Sequence, residues 1–388
     1  MNHRFLESLA EGLAALDEAG LRRSLPQLDG RQNPVMVLNG VPVVNLSSNN
    51  YLGLAGDPAL VQGAANAMSE AGVGAGASRL IAGNLAPHRV FETELANWLG
   101  VEAALLFNSG YQANIGVLTA LAGPGDVIFS DALNHASIID GCRLARAETS
   151  IYRHLDLADL ESRLRARSGT GRKLVVTESL FSMDGDRAPL AGLAELARRH
   201  DAILIVDDAH GIGAMGPLGR GLTEGLGPDV LIGPLGKAFG VFGAFVAGSQ
   251  VLVDWLINRA RSFVFTTALP VPVVGALRAA LALIRGPVGQ ERRAALHRWV
   301  ELFHVELSRV GWALPSAPSH ILPLGVTGGD PVKAMAMSRG LAERGVFVHG
   351  IRPPTVPVGT SRLRLSLMAT LTETQARQAF EALAEIRR

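Results

Sequence analysis

Short apolar runs alternate with longer stretches of helical spacing through the middle of the chain. Residues 103–107, 127–129, 174–177, 203–206, 230–232 and 244–247 are nearly unbroken apolar runs. Between them, residues 112–122, 159–166 and 190–199 repeat apolar positions at intervals of three and four, the period of a helix with one buried face. Strands without polar alternation are strands covered on both faces. The pattern therefore predicts an α/β fold with a mostly parallel central sheet between layers of helix.

The two ends of the chain read differently. Residues 4–19 have helical spacing, with Phe5, Leu9, Leu13 and Leu16 on one side and Gly20 as a stop, and a strand pair follows at 35–38 and 41–46. This arm has no evident core of its own, so it is expected to fold over a larger body or a partner subunit. Helices are expected at 58–71 and 88–99. After Gly286-Pro287 the pattern becomes long amphipathic stretches (291–310, 331–344, 373–387) with short strands between, a smaller α+β domain. The expected division is an arm of residues 1–48, a large domain of 49–286 and a small domain of 287–388.

Composition removes several function classes. In a chain of 388 residues, 36 basic and 35 acidic side chains give a net charge of +1 and are scattered, so no nucleic-acid or membrane-surface footprint is expected. The most apolar run, 271–284, is interrupted by Pro272, Gly275 and Arg278 and is too short to span a bilayer. No apolar leader opens the chain, and a single Cys142 cannot form an internal disulfide. A cytoplasmic setting is expected, with Cys142 as a small buried hydrophobe. No metal-ligand set is expected.

Charge type is more informative than charge number. The 36 basic residues are three lysines (Lys173, Lys237, Lys333) and thirty-three arginines. One of the three lies in the apolar, glycine-rich stretch DVLIGPLGKAFGVFG, where an ammonium is costly and where only lysine, not arginine, can give up its proton. Lys237 reads as a Schiff-base lysine. By itself the stretch equally fits a lysine whose stem packs while its head reaches water.

Other reactive residue types follow the ends of the apolar runs, where ligands bind in open α/β sheets. His135 follows the run at 127–129, Ser182 and Asp184 the run at 174–177, Asp207, Asp208 and His210 the run at 203–206, and Lys237 the run at 230–232. The turn Asn108-Ser109-Gly110-Tyr111 joins a strand to a helix, an arrangement that offers backbone N–H groups to a phosphate. Each residue alone has a structural explanation, as a cap, a turn or a core histidine. Together they meet the needs of pyridoxal phosphate: an amine, an acid for the ring nitrogen, a flat group, donors to the phenolic oxygen and N–H groups for the phosphate. Gly72, Gly74 and Gly76 imitate a dinucleotide fingerprint, the basis of an alternative reading as a dinucleotide-dependent oxidoreductase. They follow a helix rather than a strand, and are read as a flexible loop.

The segments NNYLGL, NSGYQAN, DALNHASI, TESLFSMDGD, VDDAHGIG, GKAFG, FTTALP and IRPPTVPVGTSRLRL, in this order, resemble the α-oxoamine synthases of the fold-type I pyridoxal-phosphate superfamily over nearly the whole chain. The resemblance implies a homodimeric acyltransferase that uses pyridoxal 5'-phosphate. IRPPTVP favours the condensation of L-alanine with pimeloyl-CoA or a pimeloyl-acyl carrier protein. The alternative within the family uses glycine and another acyl-CoA. It further implies Lys237 as the Schiff-base residue, Asp207 on the pyridinium nitrogen, and His135 stacked on the ring and beside the substrate. His210 and Ser182 would bond the phenolic oxygen, while Ser109, Gly110 and Tyr111 meet the cofactor. Thr266 or Thr267 would reach the phosphate of the neighbouring subunit. On the substrate side, Arg364 would take the amino-acid carboxylate, with Asn50, Arg352 and Thr355 close by. Arg22, which in isolation reads as a solvated charge, matches the position facing the far carboxylate of the acyl chain. One position departs from the family: the hydroxyl residue three places before the lysine is Pro234, which offers neither a side-chain donor nor an N–H. Loss of one charge-assisted bond of about 1.5–3 kcal/mol is expected to weaken cofactor binding by roughly tenfold to a hundredfold.

Overall fold

A computed structural model describes residues 3–387. By internal contacts the chain forms two compact units: one of residues 49–182 and 186–296, the other of the residues up to Ser48, Met183–Gly185 and those from His297 onward. The divisions fall after Ser48 and within the helix Pro287–Arg309.

The first unit is built on a seven-stranded sheet. Its strands lie in the order Ala103–Phe107, Ala244–Gly248, Val230–Pro234, Ala202–Asp207, Lys173–Glu178, Val127–Asp131 and Glu148–Tyr152. Pairing is parallel from Val230–Pro234 across to Glu148–Tyr152. Ala244–Gly248 is antiparallel to both of its neighbours, so Ala103–Phe107 again runs with the parallel set. Both faces are covered, as the unbroken apolar runs require. Ile128, Val176, Ile205 and Ile232 meet Val117, Leu118, Ile138 and Leu256 on one face. Phe129, Val175, Leu204 and Val206 meet Leu160, Leu164, Leu193 and Leu196 on the other. At about 1.5–3 kcal/mol for each fully buried side chain, these two layers are the main force holding the strand ends in register. Cys142 belongs to the first layer, and burial pushes its thiol up to about 11, the behaviour of a packed hydrophobe.

The apolar run near 271–284 is the helix Val271–Arg285, and its composition is explained by packing. It lies against the helix Pro58–Ala71 so closely that a Cβ on Gly63 would stand 2.7 Å from the Gly275 carbonyl oxygen. Val274, Leu277, Leu281 and Ile284 are fully buried. Among the described residues no single helix is long and apolar enough to cross a membrane.

The second unit has two small sheets. Leu28–Asp29, Val35–Leu38, Val41–Asn45 and Val346–Phe347 form one; Ile321–Gly325, Arg362–Ser366 and His349–Ile351 form the other. Helices Pro331–Glu343 and Glu373–Arg387 accompany them. The arm begins with the helix His3–Glu18, none of whose residues is buried in this chain, Phe5, Leu9, Leu13 and Leu16 included.

Candidate active site

Four parallel strands of the first unit end at Asp131, Glu178, Asp207 and Pro234, and the loops beyond them carry His135, Ser182, His210 and Lys237. Lys237 is half-buried in a turn closed by the Gly240 N–H to its own carbonyl at 2.9 Å. Asp207 is 4% exposed; its carboxylate accepts from Asn114 Nδ2 at 2.7 Å and from the Ala209 N–H at 3.0 Å. His135 is exposed as a residue, but its Nδ1 edge packs on buried Ser137, 2.8 Å from Oγ, while its backbone N–H donates to Glu178 Oε1 at 2.7 Å. Asn114 Nδ2 also donates to Ser137 Oγ at 2.9 Å. One amide therefore ties the group behind His135 to the carboxylate of Asp207.

These groups sense one another electrostatically. His135 lies below the ordinary histidine value, first through desolvation; Asp207 opposes this and the Lys237 charge adds to it. Glu178 is pushed up to about 8 by burial and by Asp207, against the pull of Lys237 and the His135 N–H. Asp208 rises to about 7, chiefly by burial, although it accepts from Ser179 Oγ. His210 is buried with its Nδ1 2.6 Å from the hydroxyl of Tyr51, itself fully enclosed.

The helix Gly110–Leu121 starts beside this group. Ser109 caps it, its Oγ accepting from the Gln112 N–H at 3.2 Å and its carbonyl from the Ala113 N–H at 3.0 Å. The N–H groups of Gly110 and Tyr111 precede the first intrahelical bond and suit an anion. The Pro234 ring seals this end: a Cβ on Gly110 would stand 2.6 Å from Pro234 Cγ. Tyr111 is 46% exposed and donates to Asp140 Oδ2 at 2.7 Å. Thr266 accepts at Oγ1 from Asn108 Nδ2, and the Thr267 carbonyl accepts from the same amide, at 3.0 and 2.8 Å. Asn50 is buried, its Oδ1 accepting from the Ala55 N–H at 3.1 Å.

The remaining predicted residues belong to the second unit. Arg364 is buried and donates to Ser366 Oγ at 2.6 Å. Arg352 donates to the carbonyl oxygens of Gly20 and Arg22, at 2.5 and 2.7 Å, so it anchors the arm. Thr355 Oγ1 accepts from Arg23 at 3.3 Å. Arg22 is exposed and pairs with Asp17.

Sequence reading missed Asn114, Ser137, Glu178 and Tyr51. All four stand inside quoted segments: NSGYQAN, DALNHASI, TESLFSMDGD and NNYLGL. The signal was present, but their importance rests on neighbours distant in sequence. The dinucleotide reading fails on geometry, because Gly72 caps the helix Pro58–Ala71, and a loop rather than a strand–helix turn follows it.

The chain belongs to the aminotransferase class I and II family, whose model matches residues 41–383. Within it, the chain is 50% identical to the 8-amino-7-oxononanoate synthase of Anaeromyxobacter sp. (strain K), across 98% of this chain and 96% of the relative. It is 49% identical to the enzyme of the same name from Geobacter sulfurreducens, across 98% and 97%. A solved structure of SPT with its PLP internal aldimine superposes with a TM-score of 0.92 at 30% identity, covering 100% of this chain and 98% of that one.

Proposed function

We propose that this chain condenses L-alanine with a pimeloyl thioester, of coenzyme A or an acyl carrier protein, to give 8-amino-7-oxononanoate, CO2 and the free thiol in biotin biosynthesis. The cofactor is pyridoxal 5'-phosphate. The observation that carries the reading is the meeting, at the carboxyl ends of the parallel strands, of the Lys237 amine, the braced Asp207 carboxylate and the open His135 ring beside a capped helix N-terminus. The choice of substrates leans on identity near 50% to synthases of that name, against 30% to SPT.

The residues present fit the cofactor. Gly110 and Tyr111 offer N–H groups to its phosphate, His135 a flat face, Ser182 and His210 polar atoms for the phenolic oxygen, and Asp207 a fixed negative charge for the ring nitrogen. When bound, pyridoxal phosphate supplies an electron sink that makes the α-proton of a bound amino acid labile. Lys237 Nζ takes that proton from alanine and, with His135 as the second acid, returns one after decarboxylation. Asn114 and the Ala209 N–H keep the Asp207 carboxylate from turning away while this occurs. Arg364 takes the amino-acid carboxylate, and Asn50, Arg352 and Thr355 complete the substrate side. Arg22 faces the far carboxylate of the acyl chain. Thr266 or Thr267 serves the phosphate of a partner in a homodimer.

Absorbance near about 420 nm on adding pyridoxal phosphate, lost in Lys237→Ala, tests the cofactor half. Thiol release tests the rest: alanine with pimeloyl thioester must exceed glycine with acetyl or succinyl thioester. A clear preference for glycine overturns the substrate assignment.

A further inference from the structure

His154 lies outside every role assigned above, yet it joins two of the loops that carry the site. It follows the edge strand Glu148–Tyr152. Its Nδ1 is 2.7 Å from Asp131 Oδ1, and its Nε2 is 3.0 Å from Asp186 Oδ2. Both ring nitrogens face carboxylates, so both must donate and the ring is an imidazolium. Burial pulls its pKa down, but the two carboxylates outweigh burial and hold it at about 9. The ring's position is fixed further by Phe181, whose ring it meets at 90° with centroids 4.4 Å apart.

The two carboxylates belong to different loops. Asp131 ends its strand and opens the loop to His135. It also accepts from the Leu133 and Leu155 N–H groups, at 2.9 and 3.0 Å. Asp186 closes the hairpin that holds Ser182: the Phe181 N–H donates to the Asp186 carbonyl at 2.9 Å, and Leu180 bridges Arg187. Among the described residues His154 is the only ion-pair partner of Asp186, whose Oδ1 is buried without a hydrogen-bond partner. The hairpin is thus tethered to the His135 loop through one ring. We infer that His154 is a positioning residue that sets the spacing between the loop presenting His135 and the hairpin presenting Ser182, and so the fit of the cofactor ring between them. This rests on the cofactor reading above.

The test is a titration of the cofactor-free protein with pyridoxal phosphate, for the unsubstituted chain, His154→Gln and Asp186→Asn, each first checked for folding by circular dichroism. The substituted chains are expected to bind the cofactor about tenfold more weakly, the equivalent of one charge-assisted hydrogen bond, and to lose kcat with little change in KM for alanine. The double variant, whose amides can bond each other without charge, is expected to recover part of the affinity. Folded His154→Gln protein with lowered thermal stability but unaltered cofactor affinity and kcat would make the bridge purely structural and overturn the inference. Absence of the cofactor band in the unsubstituted chain is a different failure, that of the cofactor reading itself.

Discussion

Glu178→Gln should stabilise the cofactor-free protein, by an amount that grows with pH. The Glu178 carboxyl is 2% exposed and shares its surroundings with Asp207, and the two effects raise it from 4.5 to about 8. Between those values the folded chain holds a proton that the unfolded chain has released, so stability falls as pH rises through the window. Glutamine mimics the protonated acid: its oxygen can keep the 2.7 Å bond from the His135 N–H, and it never ionises. From the shift, its advantage is about 1 kcal/mol at pH 5, on the order of 3 kcal/mol at pH 7 and roughly 4–5 kcal/mol above pH 8. Urea denaturation of both proteins without cofactor, at pH 5, 7 and 8.5, measures it. A difference between the two midpoints that stays flat or narrows with pH refutes the electrostatic account. The carboxylate would then be destabilising for no reason visible in its burial or in its neighbour.

Two further substitutions probe the phosphate end. Pro234→Thr restores a hydroxyl donor and is expected to tighten pyridoxal phosphate by roughly tenfold to a hundredfold in the same titration; an unchanged affinity means the hydroxyl is not missed here. Gly110→Ala sets a methyl 2.6 Å from Pro234 Cγ and must displace the first helical turn, so cofactor affinity should fall at least about tenfold while the rest of the fold persists. Wild-type affinity in Gly110→Ala would show that the turn yields without cost.

Where hydrophobic pattern alone decides structure, the sequence was a sufficient guide. The runs at 103–107 and 190–199 are the strand Ala103–Phe107 and the helix Leu190–Arg199, and 373–387 is the helix Glu373–Arg387. The missed strand Glu148–Tyr152 lies at the sheet edge with mostly exposed side chains, so it carries no apolar run to find. The helix Val271–Arg285 shows in the sequence only as an apolar run, because a helix buried on several sides loses its amphipathic signature. The antiparallel strand Ala244–Gly248 was legible in principle. The link from Leu235 to Gly243 is too short for the dozen or more residues that a parallel crossover needs. Apolar composition does not encode direction, but loop length does.

The site divides in the same way. Lys237, His135 and Asp207 announce themselves by chemistry at strand ends, whereas Asn114 and Ser137 are ordinary polar residues whose value comes only from what the fold brings to them. The family resemblance puts Arg352 on the substrate side, yet its two guanidinium bonds hold the arm's backbone, a use that charge alone does not foretell.

Glu178, Asp207 and Asp208 are all buried, and the ends of two adjacent strands bring them together. Asp207 raises the pKa of both neighbours, while Lys237 lowers that of Glu178. An arrangement with this much carboxyl and so little base is costly by itself, which is why a neutral isostere at 178 should stabilise the empty protein. A ligand that brings a cationic ring nitrogen to Asp207 offsets the excess. The strain that burial places on the empty site is then the same free energy that favours a positively charged ring over a neutral one. A cofactor analogue lacking the ring nitrogen should therefore bind with a smaller gain in stability than pyridoxal phosphate, even where its phosphate contacts are intact.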